Sequence, residues 1–454
     1  MTLKIFNTLT GKKELFTPLV PSEVSFYMCG VTVYDYCHIG HARAYVVSDI
    51  MRRYLEYKGF RVKFIQNFTD IDDKMIARSK EQGLSCEKLG EHFINAYFED
   101  MDKLYIQRAT RYPRATHYIP QMQALITRLV EKGCAYLSEG DVYFSVEKYP
   151  KYGQLSKKIL DDLIAGSRVK IGELKHNPLD FVLWKASKEG EPFWDSPWGK
   201  GRPGWHIECS AMAMTDLGDT IDIHAGGEDL VFPHHENEIA QSECASEHTF
   251  VRYWIHNGFV QIRDEKMSKS KNNFVSVRDL LQQYSGEVLR FFLMKTHYRA
   301  PIQFSMEGLS EAEHALERLA NPFRTEQNHA DPIVPSSLQQ ELETFENRFI
   351  QAMDDDFNFA EAIGVLFDLV KFIHKEGAGL ALLKKCGRIL GLFNQLDTRE
   401  DLHEDIQSLI AERSQAKQTR DYGRADAIRE QLWKVHHILL EDTIDGVRWR
   451  KERK

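Results

Sequence analysis

Two segments of this sequence place histidines or lysines at spacings suited to phosphate chemistry. His38-Ile39-Gly40-His41 stands where a loop is expected to enter a helix, and the backbone N–H groups and dipole of a helix start favour an anion. His38 and His41 are three residues apart and can both face that spot, while Gly40 lets a flat base or a phosphate approach the backbone. Taken alone, a turn glycine between two surface histidines explains the tetrapeptide equally well.

The second segment, Lys266-Met267-Ser268-Lys269-Ser270, lies much later, in a polar loop after a predicted strand. Two lysines three residues apart can clamp a polyphosphate and stabilise the charge that develops on a pyrophosphate leaving group. Taken alone, the segment is better explained as a solvated run of charge. Found together in this order, the two segments resemble the HIGH and KMSKS motifs of the class I aminoacyl-tRNA synthetases.

A parallel sheet is the structure expected to position the histidine segment. Hydrophobic patterns predict strands over 24–29 and 60–68, joined by a helix over 41–58. Thr69 or Asp70 is expected to cap the helix that follows. The strand–helix–strand order implies parallel strands with a right-handed crossover.

This alternation is interrupted between about residues 115 and 201, a stretch that looks irregular and is predicted to be an insertion. Alternation resumes with a strand over 220–224, a helix over 233–245 and a strand over 251–255. The sheet is therefore predicted to be split into two halves, as in a doubly wound nucleotide-binding domain.

The predicted fold class is α/β: a split Rossmann-like parallel-sheet catalytic domain with an insertion, then an α-helical domain and a small C-terminal α+β unit. In the last unit, two charged helices precede strands over 438–440 and 447–449, joined at an Asp445-Gly446 turn. The predicted boundaries are 1–114 and 202–262 for the two halves of the sheet domain, 115–201 for the insertion, 263–309 for the lysine loop and its following region, 310–395 for the helical bundle and 396–454 for the small unit.

The composition is that of a soluble, multidomain protein. The 454 residues are 43% hydrophobic and 28% charged, with a net charge of −8, which argues against a generic nucleic-acid-binding protein but allows a local basic face. We expect a cytoplasmic protein without a membrane segment, because the sequence has no run of about 18 apolar residues and no signal-peptide pattern. Seven scattered cysteines favour free thiols or a metal site over disulfides.

Four further segments resemble the cysteinyl-tRNA synthetases, and the resemblance covers essentially the whole chain. They are FYMCGVTVYD at 26–35, NFTDIDDK at 67–74, GWHIECS at 204–210 and FPHHENEI at 232–239. The resemblance implies an enzyme, expected to be a monomer, that activates L-cysteine with ATP and Mg²⁺ and transfers it to the 3′ end of the tRNA for cysteine. It also implies that 263–309 contacts the tRNA stem and that the two following units reach the anticodon.

The same resemblance implies one zinc ion per chain, held by Cys29, Cys209, His234 and Glu238 and used to select the substrate thiol. His234 and Glu238 are four residues apart and share a helix face, and all four residue types are acceptable zinc ligands. His235 is almost as well placed, so the residues alone leave the histidine open. Four protein ligands normally mark a structural site, so substrate sulfur must be an additional ligand. The remaining cysteines are predicted to be packing residues: Cys37, Cys86, Cys134, Cys244 and Cys386.

The other predicted site residues divide between ATP and cysteine. His38, Gly40 and His41 are assigned to the ATP phosphates, Lys266 and Lys269 to the leaving pyrophosphate, Gly226, Gly227 and Asp229 to the nucleotide, and Trp205, Thr69 and His224 to cysteine. Asp229 is expected to bond ribose hydroxyls. A core tryptophan and a buried structural histidine are the alternatives for Trp205 and His224. Helix capping and surface ion pairs equally explain Thr69, Asp70 and Asp73.

Two positions depart from the family pattern. The KMSKS motif is usually followed by Leu-Gly-Asn, whereas this chain has Lys271-Asn272-Asn273, so the loop lacks its glycine. Loop closure is the property that this change affects. Ala225 stands where glycine is usual, and we expect little effect.

Two other functions are consistent with parts of the pattern. A ligase that passes activated cysteine to a small amine would lack an anticodon-binding tail, which this chain has. A non-catalytic RNA-binding relative would have damaged motifs, and both are intact. In the tail, Trp433 and the basic run at 448–451 are expected to stack on and bind unpaired bases, with a buried core tryptophan as the alternative for Trp433.

The variant Lys269→Ala tests the role of the second motif lysine. We expect adenylate formation to fall by roughly two to three orders of magnitude, the scale of losing one preorganised electrostatic contact. The Michaelis constant for cysteine should barely change, because the lysine is assigned to pyrophosphate. Cysteine-dependent pyrophosphate exchange measures both, and near-normal activation would contradict the assignment.

Overall fold

The computed structural model describes residues 2–158, 175–262, 265–266, 274–324, 336–394, 404–436, 438–443 and 446–451. The chain forms two compact units. The first comprises Met1–Ala312 and Ile350–Ala362, and the second comprises Glu313–Phe349 and Ile363–Lys454.

The first part of unit 1 supplies two strands of a parallel sheet and three helices. Its elements are β1 (Lys4–Asn7), β2 (Lys12–Leu15), β3 (Glu23–Thr32), α1 (Ile39–Tyr57), β4 (Arg61–Thr69), α2 (Asp73–Gln82) and α3 (Cys86–Lys103). β3 and β4 pair in parallel, and α1 is the connection between them. The predicted cap at Thr69 or Asp70 is wrong: Asp72 caps α2 by accepting a hydrogen bond from the Met75 N–H. Thr69 still belongs to β4, and the Asp70 carboxylate instead binds Thr116.

The described parts of the insertion, 115–158 and 175–201, form regular elements, contrary to expectation. The insertion contains α4 (Ile119–Glu131) and the strands β5 (Ala135–Ser138), β6 (Asp141–Phe144), β7 (Phe181–Ala186) and β8 (Gly201–Pro203), which form an antiparallel sheet in that order. Strands of three to six residues are too short to show a clear alternation, which is why the pattern looks irregular. The fully buried Trp184 anchors the inner face of β7.

The rest of unit 1 completes the parallel sheet. Its elements are α5 (Trp205–Leu217), β9 (Ile221–Gly227), α6 (Glu236–Ser246), β10 (Val251–Asn257), β11 (Val260–Ile262), β12 (Glu265–Lys266), α7 (Val277–Leu280), α8 (Gly286–Leu293) and β13 (Ile302–Gln303). The strand order is β10–β9–β3–β4, with all pairs parallel. The predicted split sheet is therefore confirmed, and all four strands end at one edge, where such sheets bind ligands.

Unit 2 is helical and ends in a hairpin, as predicted for the part of the chain that follows residue 310. The helices are α9 (Met306–Ala320), α10 (Ser336–Asp354), α11 (Phe359–Glu376), α12 (Leu380–Ile389), α13 (Glu404–Gln418) and α14 (Tyr422–His436). Helix α9 begins in unit 1, and α10 ends in unit 1. The strands β14 (Ile438–Thr443) and β15 (Gly446–Lys451) pair antiparallel, while Asp445 of the predicted turn lies outside the described residues. A small core joins α14 to β14 through Ile428, Leu432, Ile438 and Leu440. None of the described helices has the length and apolar run that crossing a bilayer requires.

Candidate active site

His38 and His41 cap the start of α1 for each other. The His41 N–H donates to Nδ1 of His38 and the His38 N–H donates to Nδ1 of His41, each at 3.3 Å, and the two rings stack with centroids 3.7 Å apart. A Cβ added at Gly40 would lie 2.9 Å from the His38 ring, so the stacked arrangement requires glycine. Because the Nδ1 atoms serve the caps, these imidazoles can contact a phosphate through Nε2.

Of the two motif lysines, only Lys266 has a described backbone. It lies on β12 and pairs with Gln261 of β11. Its side chain, all of Lys269 and the departure at Lys271-Asn272-Asn273 lie outside the part of the chain that the structure describes. Their assigned roles stay predictions.

A cavity of about 590 Å³ opens where the four parallel strands end, and the HIGH residues line one side of it. It brings together most of the predicted site residues: Cys29, His38, Gly40, His41, Thr69, Trp205, Cys209, Gly227, Asp229 and His234. His224, Gly226 and Glu238 do not line it. Motifs that are distant in sequence therefore meet in one cavity, since the carboxyl ends of parallel strands share an edge.

Two thiols, an imidazole and a carboxylate converge at the floor of this cavity. Cys29 Sγ lies 3.8 Å from Cys209 Sγ and 3.7 Å from Glu238 Oε1, and His234 Nε2 lies 3.0 Å from that same oxygen. One ligand atom from each residue falls within 4.8 Å of all the others. Cys29, Cys209, His234 and Glu238 are called the cavity set below.

A second group of possible ligands shares two members with the first. Cys29, His224, His235 and Glu238 also place their ligand atoms within 4.8 Å of one another, and they are called the inner set. His235 Nε2 lies 3.2 Å from Cys29 Sγ and His224 Nε2 lies 3.4 Å from it. The geometry therefore leaves both His234 and His235 as candidate metal ligands, as their sequence spacing from Glu238 also does.

Access from the cavity distinguishes the two sets. Cys209 and His234 line the cavity, whereas His224 and His235 do not. His235 is also engaged on its far side, where its Nδ1 lies 2.8 Å from Nε2 of His256. A metal on the cavity set can therefore meet a ligand that enters the cavity, while one on the inner set would be enclosed by protein.

The donor atoms at the floor fit a cation, which would take the place of the protons that burial favours on Glu238 and Cys29. Burial raises the pKa of Glu238 well above its usual range, and Glu238 Oε2 has no hydrogen-bond partner among the described residues. Burial also raises the pKa of the Cys29 thiol, whereas a hydrogen bond from Cys29 lowers that of Cys209 to about 7. Burial lowers the pKa of His235 well below its usual value, so this imidazole is neutral. Sulfur, neutral nitrogen and an unsatisfied carboxylate are the donors that Zn²⁺ binds, so the residues fit such an ion.

Three residues assigned to cysteine occupy different environments. Trp205 begins α5, is 42% exposed and stacks on His234 with ring centroids 4.3 Å apart, so it is not a core tryptophan. Thr69 lines the cavity and donates its hydroxyl hydrogen to Glu208 Oε2 at 2.7 Å. Because β9 continues to Gly227, His224 lies in the middle of the strand and not at its end. Its side chain is fully buried and stacks on Trp254. Its position matches the buried-histidine alternative.

The remaining predictions concern the acidic residues of the 67–74 segment and the other cysteines. Asp73 is an exposed ion-pair partner of Lys185 and Arg202, as the surface alternative expects. Cys37, Cys134 and Cys386 are buried and Cys86 and Cys244 are partly buried, and no described pair of cysteines forms a disulfide.

Sequence reasoning missed the side chains that support the floor. Asn67 Oδ1 accepts the Gly30 N–H at 2.8 Å and lies 3.7 Å from Cys209 Sγ. His206 Nδ1 lies 3.0 Å from Nδ1 of His234. Asn67 and His206 both stand in segments that resemble the cysteinyl-tRNA synthetases. Their positions in the sequence do not indicate a function until the fold brings them to the site.

The sequence and the fold match known proteins. Residues 15–314 match the family model for the class I (C) tRNA synthetase catalytic domain, and residues 348–394 match the DALR domain. Methionyl-tRNA synthetase from Mycobacterium tuberculosis, solved with methionyl-adenylate, has the same fold, with a TM-score of 0.62 and 15% identity over 83% of this chain and 91% of that one. A leucyl synthetase from Agrobacterium radiobacter K84, solved in a ternary complex with tRNA, gives a TM-score of 0.59 at 13% identity, with 83% of each chain covered. The protein is a class I aminoacyl-tRNA synthetase.

Full-length relatives narrow the class. The cysteine–tRNA ligases of Geobacter metallireducens and Clostridioides difficile are each 49% identical to this chain, and each match covers 99% of this chain and 100% of the relative. The chain belongs to the cysteine–tRNA ligase family.

Variants of the two neighbouring histidines test which set binds metal. We expect His234→Ala to lose its metal during dialysis against a mild chelator, because a direct ligand of the cavity set is gone. His235→Ala should retain about one metal ion per chain, since it loses only a neighbouring group. Metal analysis of both proteins provides the measurement, and each variant is the control for the other. The opposite result would assign the metal to the inner set.

Proposed function

We propose that this enzyme activates L-cysteine with ATP, forming cysteinyl-adenylate and pyrophosphate, and then transfers the cysteinyl group to the 3′ end of the tRNA for cysteine. The observation that carries the proposal is a single cavity that joins the HIGH residues to a floor of thiols and imidazole. Full-length similarity to cysteine–tRNA ligases supports the choice of amino acid.

The upper part of the cavity is assigned to ATP. His38 and His41 hold the α-phosphate, Gly40 allows close approach to the start of α1, and Mg²⁺ accompanies the phosphates. Gly227 lines the cavity where β9 ends beside the nucleotide, Gly226 precedes it in the strand, and Asp229 accepts hydrogen bonds from ribose hydroxyls. Lys266 and Lys269 stabilise the leaving pyrophosphate. The cysteine carboxylate attacks the α-phosphate and expels pyrophosphate. In the second step a ribose hydroxyl of the tRNA attacks the acyl carbon of the mixed anhydride, which forms the ester and releases AMP.

The floor is assigned to the cysteine side chain through one zinc ion per chain. The cavity set of Cys29, Cys209, His234 and Glu238 would hold the ion. When bound, zinc supplies a preference for thiolate sulfur over a hydroxyl. Trp205 covers His234 from the cavity side, and Thr69 lines the wall next to it.

Chemistry, and not shape, explains why such a floor would separate cysteine from serine. A pocket that senses only a small group discriminates roughly 10–200-fold. A thiol has a pKa of about 8.5, whereas an alcohol behaves nearer to water at about 15.7, so only the thiol readily binds a metal as an anion. Sites that reward one specific chemical group reach about 10⁴ or more, which would make an editing domain unnecessary.

The later parts of the chain are assigned to tRNA. The match of 348–394 to the DALR domain supports a tRNA-binding role for the helical region, which makes a small amine a poor acceptor candidate. We assign 263–309 to the acceptor stem and both 310–395 and 396–454 to the anticodon. Trp433 is 38% exposed, which is compatible with base stacking. We further propose a cytoplasmic monomer.

The variant Cys209→Ser tests the use of metal in selection. We expect it to lose zinc, and its cysteine-to-serine ratio of kcat/KM should fall from about 10⁴ to roughly the 10–200 of a pocket without a metal. ATP binding should persist, because the HIGH residues are untouched. Zinc content and the two specificity constants are the measurements.

Cys386→Ser is the matched control, since Cys386 and Cys209 are each 2% exposed but Cys386 lies in the other unit. The control should keep its zinc and its selectivity. A parent protein that rejects serine without containing metal would contradict the proposed mechanism of selection.

A further inference from the structure

Arg43 is a fully buried arginine that the chemistry above does not use. It lies on α1, two residues beyond His41, and its side chain reaches the segment between β10 and β11 and the segment between α8 and β13. Nη1 donates to the Phe259 carbonyl at 2.7 Å, while Nη2 donates to the Ala300 carbonyl and, at 3.3 Å, to that of Tyr298. Longer contacts of 3.5 Å reach the carbonyl of His297 and the hydroxyl of Thr296.

This arrangement is a built site and not an incidental contact. Burial lowers the pKa of Arg43 to about 10, so the guanidinium remains charged at neutral pH. A buried charge is costly unless other groups satisfy it, and here backbone carbonyls accept from both terminal nitrogens, while Nε has no hydrogen-bond partner among the described residues. No described carboxylate forms an ion pair with Arg43. Its hydrogen bonds therefore hold backbone segments in place and do not bind a counter-ion.

The carbonyls belong to the two segments that begin the small sheet of β11, β12 and β13. Phe259 stands between β10 and β11, and its carbonyl also accepts the Ile302 N–H at 2.9 Å. The Gly258 N–H donates to the Tyr298 carbonyl at 2.9 Å, and a Cβ at Gly258 would lie 2.7 Å from the carbonyl oxygen of Arg299. The guanidinium therefore joins two closely packed loops to α1, the helix that begins at the HIGH residues.

The chain on the other side of the lysine motif is attached to the same helix start. The Ile39 N–H donates to the Val275 carbonyl at 3.1 Å, and the Val277 N–H donates to the Cys37 carbonyl at 2.9 Å. The backbone thus joins the segment after the motif to the start of α1, whereas the side chain of Arg43 joins α1 to the segment that leads into the strand before the motif. Gly258, Phe259 and Val260 also line the active-site cavity.

We infer that Arg43 is a positioning residue for adenylate formation: it sets the strand pair β11–β12, and with it Lys266, relative to His38 and His41. The inference rests on the proposed function. Arginine suits this role because its planar fork reaches carbonyls of two segments at once, which the single ammonium of lysine cannot do. A shift of about 1 Å between groups that act on the same phosphates is enough to cost a large factor in rate.

Arg43→Lys tests the inference, because it should change the Michaelis constant for ATP but not that for cysteine. We expect kcat for cysteine-dependent pyrophosphate exchange to fall about 100-fold and KM for ATP to rise, because the phosphate-binding groups lose their relative position. KM for cysteine and the zinc content should stay at the parental values, since the floor of the cavity lies on other segments. Arg52→Lys is the matched control on the same helix, where the side chain reaches Glu56 and the Arg108 carbonyl; it should behave like the parent.

Two results would overturn the inference. One is unchanged kinetics in Arg43→Lys. The other is a normal kcat per titrated active site, together with a smaller fraction of active protein and a lower melting temperature. That result would mean that Arg43 only stabilises the fold. If the lysine variant does not fold, Arg43→Gln, which donates to one carbonyl without a buried charge, is measured with the same outcomes. A parent without cysteine-dependent exchange would instead refute the proposed function.

Discussion

The burial of two thiols, an imidazole and a carboxylate at one point is the constraint on which the site depends. Cys29 comes from β3, Cys209 from α5, His234 from the turn before α6 and Glu238 from α6 itself. These segments meet only when both halves of the split sheet pair, as β3 and β9 do. Glu238 has no exposed surface, and one of its carboxylate oxygens has no hydrogen-bond partner in the described part of the chain, so it is a costly group unless a cation or a proton accompanies it. Folding of the sheet and formation of the site are therefore one event.

The same sheet also underlies the proposed position of ATP. The strands end in a common edge, and α1 starts at that edge with two histidines that cap each other. The floor and the HIGH residues consequently face each other across one cavity, so an amino acid held by its side chain would present its carboxylate toward the phosphates. Selection of the side chain and alignment for attack would then follow from one binding geometry.

Much of this could be predicted from the sequence, where local patterns are strong. The strands around α1 and the pair β9 and β10 follow from their hydrophobic runs, and His38, Gly40 and His41 of the first motif line the cavity. The antiparallel sheet of the insertion was missed because its strands are short and leave little pattern. The cap of α2 was misplaced by two or three residues because Thr69, Asp70 and Asp72 are all acceptable caps, and only tertiary contacts decide among them. His234 and His235 could not be separated, since both stand within one turn of Glu238 and only the position of the cavity distinguishes them.

The central claim is that the floor binds the substrate's sulfur directly, and cobalt substitution tests it. Co²⁺ in place of zinc gives sulfur-to-metal absorption bands whose intensity follows the number of thiolates bound. We predict that the protein takes up about one Co²⁺ per chain. Adding L-cysteine should then strengthen the thiolate band and change the ligand-field spectrum, whereas L-serine at the same concentration should change neither. A cobalt spectrum that responds identically to cysteine and serine, or to neither, would contradict the account.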